Sequence, residues 1–403
     1  MLCLDVVQVI CDFCDLQTQI SLMSSCNEYY ENLKIRQLDC SRIKKRKNKQ
    51  ITQEIINQKK FEGLQKLCLI LSIASDYYVS NTLSKLFSKI VNVNHLAHTL
   101  RELYCESDYC GIDQEGINDL KVLQILVIYN NSKITSVNHL ANTLIILNCG
   151  GNCGISQGGI KDLKVLQKLY ASDNSKITSV NHLANTLIVL DCSANCGIGQ
   201  VGIKDLKVLQ KLDVYHNSEI TSVNHLANTL IELNCNWNDC GINQIGINNL
   251  KILRKLNADR NSKITSVNHL AHTLIELDCD WDCGIDQSGI NDLKILRKLD
   301  AYCNSGITSV THLAHTLIEL NCGSECGIDQ GGINDLKILR KLNAYRNSKI
   351  TSVNHLAHTL IELDCGSDCG IDEGGIKDLK VIQKIDTWCN TKIRNRFRDI
   401  NLY

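Results

Sequence analysis

The chain has 403 residues, of which 44% are hydrophobic and only 5% aromatic, and its 43 basic residues balance 43 acidic ones. Balanced charge excludes a global field that would draw the chain to nucleic acid or an anionic membrane, and no apolar run reaches the roughly 18 residues of a membrane span. With no proline and few aromatics, the core must be Leu, Ile, Val, Ala and Cys in uninterrupted short elements.

Residues 1–40 carry apolar side chains at Leu2, Val6, Ile10, Leu16, Ile20, Leu22, Met23, Cys26, Tyr29, Tyr30 and Leu33, a spacing that predicts two or three short amphipathic helices. The start lacks the basic region and small-residue cleavage site of a secretory signal and carries Asp5, Asp12 and Asp15. The expectation is a cytoplasmic protein whose 22 cysteines are reduced thiols. Residues 41–63 read as a basic linker. Its run Arg42 to Lys49, R-I-K-K-R-K-N-K, is either a solvated stretch or a nuclear localisation signal. Residues 64–99 look like degenerate opening repeats, since Leu64-Gln-Lys-Leu67-Cys-Leu69 fits the pattern below and Asp76 to Lys85 does not.

From residue 100 to 393 the sequence repeats. The string S-V-N-H-L-A or a close variant places histidine at His95, His139, His182, His225, His269, His312 and His355, spaced 43 or 44 residues apart. Each period splits into two halves, for example Leu317-Ile-Glu-Leu320-Asn-Cys322-Gly-Ser-Glu325-Cys-Gly-Ile328 and Leu339-Arg-Lys-Leu342-Asn-Ala344-Tyr-Arg-Asn347-Ser-Lys-Ile350. Both read L-x-x-L-x-(C/A)-x-x-(N/D/E)-x-x-I. Positions 4 and 6 follow the strand period of two, so they face one side while positions 3, 5 and 7 face the other. Position 9 of every second half is asparagine, from Asn131 to Asn390, and its amide can bond backbone groups where the chain leaves the strand. Beyond position 12, pairs such as Ile333/Leu336 and Val353/Leu356 are spaced as one side of a helical turn.

These residues resemble the leucine-rich-repeat family through fourteen halves, with the last hydrophobe at position 12, as in its cysteine-containing subtype. The resemblance implies an α/β repeat solenoid: a horseshoe whose concave face is one parallel sheet, backed by short helical segments. Arg394, Arg396 and Arg398 around Phe397, in residues 394–403, would form a polar C-terminal cap. In residues 1–40, the stretch Leu2-Cys-Leu-Asp5-Val-Val-Gln-Val-Ile10, then Leu16, Ile20-Ser-Leu22 and Cys26-Asn-Glu-Tyr-Tyr30, resembles an F-box, with Cys3 in the place of the family's proline. The combination is similar to the F-box/leucine-rich-repeat proteins that large DNA viruses encode. It implies a substrate-recruiting subunit of a cullin-type ubiquitin ligase. Leu2, Val6, Ile10, Leu16, Ile20, Leu22 and Cys26 would contact a Skp1-like adaptor, and the repeats would hold an unknown protein substrate, the chain being a monomer within that complex. The alternative is an interaction scaffold whose helical head only seals the open end of the array.

Cysteine fills position 6 of every first half, from Cys105 to Cys365, and recurs in the following turn, from Cys110 to Cys369. Equivalent position-6 residues lie two strand spacings apart, roughly 10 Å. That is too far for a disulfide within the column, and it leaves no tetrahedral cluster in one layer. The expectation is small apolar filler, reduced, with no metal and no cofactor. No acid/base or nucleophilic constellation stands outside the repeat, which argues against an enzyme.

Position 3 alternates Glu232, Lys255, Glu276, Lys298, Glu319, Lys341, Glu362 and Lys384, a ladder expected to neutralise itself, and position 5 is an Asn/Asp column that reads as scaffold. Positions 7 and 8 vary. They carry Tyr129, Tyr215, His216, Trp237, Asp259, Arg260, Trp281, Tyr302, Tyr345, Arg346 and Trp388, including every tryptophan of the chain. Of these, Tyr215, Trp237, Arg260, Trp281, Tyr302, Tyr345, Arg346 and Trp388 are the candidate partner-binding residues, Tyr, Trp and Arg being the residues that most often anchor protein interfaces. The alternative is that the rings only cover strand ends. Neutral charge and the acidic position-5 column argue against stacked nucleic-acid bases.

Overall fold

The computed structural model describes residues 33–39, 53–69 and 90–393, with Gln8, Gln19, Ser21, Met23 and Ser25. The chain divides into two compact units, Met1–Leu206 and Lys207–Tyr403. The first holds strands β1 (Gln37–Asp39), β2 (Lys66–Cys68), β3 (Glu102–Tyr104), β4 (Ile125–Val127), β5 (Ile146–Asn148), β6 (Lys168–Tyr170) and β7 (Val189–Asp191). Each pairs in parallel with the next. The second holds β8 (Lys211–Asp213), β9 (Glu232–Asn234), β10 (Lys255–Asn257), β11 (Glu276–Asp278), β12 (Lys298–Asp300), β13 (Glu319–Asn321), β14 (Lys341–Asn343), β15 (Glu362–Asp364) and β16 (Lys384–Asp386), again parallel and in chain order. Each unit is a leucine-rich-repeat solenoid.

Strands of three residues cannot hold register by length, so the side chains do it. Position 4 aligns with position 4 throughout, as in Leu256↔Leu277 and Leu277↔Leu299. A slip of one residue would turn that wholly buried leucine column to solvent. Position 6 is also fully buried from Cys105 to Cys365, where it is Cys or Ala except at Ile128 and Val214, and the small volume of Cys and Ala lets successive coils lie tightly against the aliphatic core.

The rest of each coil shows why whole motifs recur: they repeat hydrogen bonds as well as shape. Asn304 donates from Nδ2 to the carbonyls of Cys279 (2.8 Å) and Ile285 (3.0 Å), while its Oδ1 accepts from the amides of Gly306 and Ile307. Asn174, Asn261, Asn347 and Asn390 make the same backward bonds, so the expected asparagine ladder is present. Behind the sheet, single α-turns such as Gln287–Ile290 and Gln330–Ile333 are capped by Asp286 and Asp329, whose carboxylates accept from Gly289 and Gly332. Gln287 then reaches the next coil, its Oε1 accepting from the amides of Thr308 (2.9 Å) and Ser309 (2.8 Å). The alternate coils close with a 3-10 turn, for instance Asn354–Leu356.

The stack reaches further back than residue 64. Ile35-Arg-Gln-Leu38-Asp-Cys40 carries the repeat pattern inside the segment assigned to the head, and β1 pairs with β2. The next stretch belongs to a coil as well. Gln53 sits in the short helix Gln53–Ile56 and accepts from the amides of Val91 (3.0 Å) and Asn92 (3.1 Å), the same stitch made by Gln287. The linker expected over 41–63 is therefore repeat structure from residue 53 onward; an eroded motif hid it. In the head, Gln8, Gln19, Ser21 and Met23 are helical. Gln8 grips the chain entering β1, donating to the carbonyl of Lys34 and accepting from its amide, both at 2.9 Å. The expected adaptor residues Leu2, Val6, Ile10, Leu16, Ile20, Leu22 and Cys26, the basic run Arg42 to Lys49, and residues 70–89 and 394–403 lie outside the described residues.

Candidate protein-interaction face

Each strand leaves the sheet through one residue at position 8, and in all fourteen halves that residue has positive φ. The left-handed turn swings the chain from the sheet face to the back. In the first unit the position holds Ser107, Asn130, Gly151, Asp173 and Ala194. In the second it holds His216 (φ 54°), Trp237 (77°), Arg260 (55°) and Trp281 (43°) on four successive coils. Large L-residues there cost roughly 1–2 kcal/mol each relative to glycine.

The side chains so held form one continuous stack with position 7. Tyr215 and His216 meet edge to face at 4.2 Å, and His216 lies 4.6 Å from the Trp237 ring. The Arg260 guanidinium sits 4.4 Å from the Trp237 ring and 5.1 Å from that of Trp281, within cation–π range of both. Trp281 is 5.9 Å from Tyr302. His216 Nδ1 is 2.6 Å from Asp239, which fixes its ring. Five candidate anchors, Tyr215, Trp237, Arg260, Trp281 and Tyr302, are thus contiguous, and Trp281 is 44% exposed. Tyr345 and Arg346 form a separate pair at 5.3 Å. Trp388 is 65% exposed, and no ring contact joins it to the stack.

Some rings do cover strand ends. A Cβ at Gly323 would meet the Tyr302 ring at 3.0 Å, and one at Gly366 would meet the Tyr345 ring at 3.3 Å. Glycine at these positions makes room for a tyrosine lying flat on the following coil, so Tyr302 and Tyr345 are half-buried. The position-3 ladder also forms as expected, with Lys211–Glu232 and Lys255–Glu276 at 2.9 Å and Lys341–Glu362 at 3.2 Å.

Position 5 does hold the scaffold, since Asn257, Asn343 and Asp386 accept from the amide two residues on. Beside the stack, however, it does more. Asp278 and Asp300 at position 5 and Asp259 and Asp280 at position 7 gather four carboxylates on three adjacent coils, and the Asp278 Oδ1 is buried with no hydrogen-bond partner. Burial, then repulsion from Asp300 and Asp259, pushes Asp278 up to about 7. Burial, then the hydrogen bond and repulsion from Asp300, pushes Asp280 up to about 9. The only sequence signal for this cluster is Asp replacing Asn in successive copies of a column that looks uniform.

The cysteine expectation needs one correction. Cys105 and Cys110 form a disulfide, their Cα atoms 5.7 Å apart. Separation within the position-6 column excludes bonds along the stack but not between a strand cysteine and the turn cysteine of its own coil. Elsewhere burial raises the thiols of Cys149, Cys235, Cys279 and Cys322 well above the ordinary value, so they behave as apolar filler. The histidines face the back. Nε2 of His139, His182, His269, His312 and His355 lies 3.0–3.1 Å from an isoleucine carbonyl one coil earlier, and burial lowers their pKa. Among the described residues no helix is long and apolar enough to cross a membrane.

No family model and no curated protein matches the sequence. Solved structures do. An internalin, InlF, of Listeria monocytogenes is 19% identical, with 79% of this chain and 88% of that one covered and a TM-score of 0.45. The yeast Rad7 and Elc1 complex is 16% identical over 81% and 86%, TM-score 0.42. The functional domain of InlJ from Listeria monocytogenes, which includes a cysteine ladder, is 20% identical over 73% and 64%, TM-score 0.40. The fold assignment rests on the strand register described above.

Proposed function

We propose that this chain is a protein-binding repeat scaffold that holds its partner on the aromatic stack running from Tyr215 to Tyr302. One observation carries the reading: four successive coils place His, Trp, Arg and Trp at a turn where glycine would be unstrained. Every half makes this left-handed turn, and here bulky, partly open side chains take on its strain, as strained residues clustered at functional sites do. Stacked Trp, Tyr and Arg supply the rigid contact area that anchors protein interfaces.

The finer reading is a substrate-recruiting subunit of a ubiquitin ligase, in which the head engages a Skp1-like adaptor while the stack holds the substrate. Its support is the F-box resemblance of residues 1–40. The scaffold alternative has its own support, because Gln8 grips the backbone of Lys34 as a cap for the first strand would. The test is paired. Full-length protein is used to capture a purified Skp1-like adaptor, and cross-linked partners are compared between wild type and Trp237→Ala/Trp281→Ala. The proposal expects adaptor bound by both proteins and partner lost only in the variant, by more than about 1 kcal/mol per anchor. Partner capture unchanged in the aromatic variant would overturn the binding face; no adaptor captured would leave the scaffold reading.

A further inference from the structure

The stack already holds one cation. The Arg260 guanidinium lies between the Trp237 and Trp281 rings, with the Asp259 carboxylate 3.9 Å away. One coil further, the same kinds of wall recur with more carboxylate: Trp281 and Tyr302 stand 5.9 Å apart beside Asp278, Asp280 and Asp300. Here no lysine or arginine among the described residues forms an ion pair with the three acids. Lys298, the nearest cation on the adjoining strand, pairs with Glu319. At this point of the sheet face the four carboxylates outnumber the two nearby cations, Arg260 and Lys298.

We propose that the carboxylate-lined stretch beside Trp281 and Tyr302 receives a guanidinium or ammonium side chain of the partner, so that the docking segment is a basic polypeptide. The inference rests on the protein-binding reading above and narrows its partner by chemistry. A cation docking there lies against the open Trp281 ring and beside the carboxylates, the kinds of group that hold Arg260 one coil earlier. It also relieves the repulsion that keeps Asp278 and Asp280 partly or wholly protonated at neutral pH. The charged groups facing this pair are Asp259 from the preceding coil and Lys298 and Asp300 from the following one, with Arg260 beside Asp259. Docking is therefore coupled to release of protons into solvent.

The experiment is calorimetry of the full chain at pH 7, in two buffers of different ionisation enthalpy. The probes are a short arginine-rich peptide, its lysine counterpart and its neutral citrulline counterpart. The arginine and lysine peptides bind, releasing about one proton or more, and the citrulline peptide binds at least about tenfold more weakly. Asp278→Asn/Asp280→Asn weakens the arginine peptide about tenfold or more and abolishes proton release. Asp292→Asn/Asp335→Asn makes the same kind of substitution at exposed back-side positions and leaves binding within about twofold. Three results overturn the inference: no binding of either cationic peptide, equal binding of the citrulline form, or equal loss in the back-side variant. Partner capture lost in Trp237→Ala/Trp281→Ala but intact in Asp278→Asn/Asp280→Asn also overturns it, and leaves the protein-binding reading standing. Aromatic variants that capture like wild type overturn that reading itself.

Discussion

At φ +43°, Trp281 occupies a region of backbone space in which glycine meets no clash. Trp281→Gly removes a strain of roughly 1–2 kcal/mol and also a ring that packs on Tyr302. The two effects nearly cancel, so unfolding free energy should change by less than about 1 kcal/mol while partner capture falls by more than that. A denaturant titration alongside a binding assay checks both halves; a variant that binds normally would show the strain to be unrelated to recognition. Asn304 gives the opposite pattern. It is 3% exposed and satisfies two carbonyls and two amides, so Asn304→Ala should lower stability by about 2–4 kcal/mol without touching the sheet face. Both roles sit in one turn, yet only one was legible. Asparagine in every second half announces its own bond, whereas positive φ at position 8 is marked by glycine only at Gly151. A tryptophan gives no hint of the backbone beneath it.

Between coils, the titrating groups pull stability in opposite directions, and their signs separate them. The folded pKa of each of these back-facing histidines lies below the ordinary 6.5 because partial burial disfavours the cation. Its contribution is complete above pH 6.5 and is lost as pH falls toward the folded value, since the unfolded chain takes up the proton first. Melting temperature should therefore decline as pH drops below about 6.5, and replacing His269, His312 and His355 by Gln, which keeps a donor for the isoleucine carbonyl, should flatten that decline. A slope unchanged by the triple substitution would place the acid sensitivity elsewhere. Asp278 and Asp280 run the other way. Their folded values are raised to about 7 and about 9, so their contribution is complete below the ordinary 3.8 and is lost as pH rises toward those values. Asp280→Asn should accordingly raise the melting temperature at pH 7 to 8, as expected where binding and stability compete. The strands, the back turns and the position-3 ladder were all readable, because each depends on a period and on neighbours at fixed offset. The carboxylate cluster was not, because its meaning lies in three different coils that align only once the register is known.

A repeat array draws its stability from neighbouring coils, so its first strand needs cover that an interior strand gets from the coil before it. Here that strand is β1, and Gln8 completes the backbone pairing of Lys34 immediately ahead of it. Sealing the array and engaging an adaptor are therefore separable proposals for one short head, and substitutions tell them apart. Gln8→Ala removes two bonds to the Lys34 backbone and should lower the melting temperature of the first unit, whichever role the head has. Leu16→Asp with Ile20→Asp discriminates between the roles. If these two side chains seal the array, burying unpaired charge should destabilise it by a few kcal/mol, and melting should fall further than in Gln8→Ala. If they face a Skp1-like adaptor, the double variant should melt like wild type while capture of the purified adaptor is lost. Wild-type protein that melts normally but captures no adaptor at micromolar concentration would sink the recruiting role, with Cys3 in the proline position as the mark of a head kept for sealing alone.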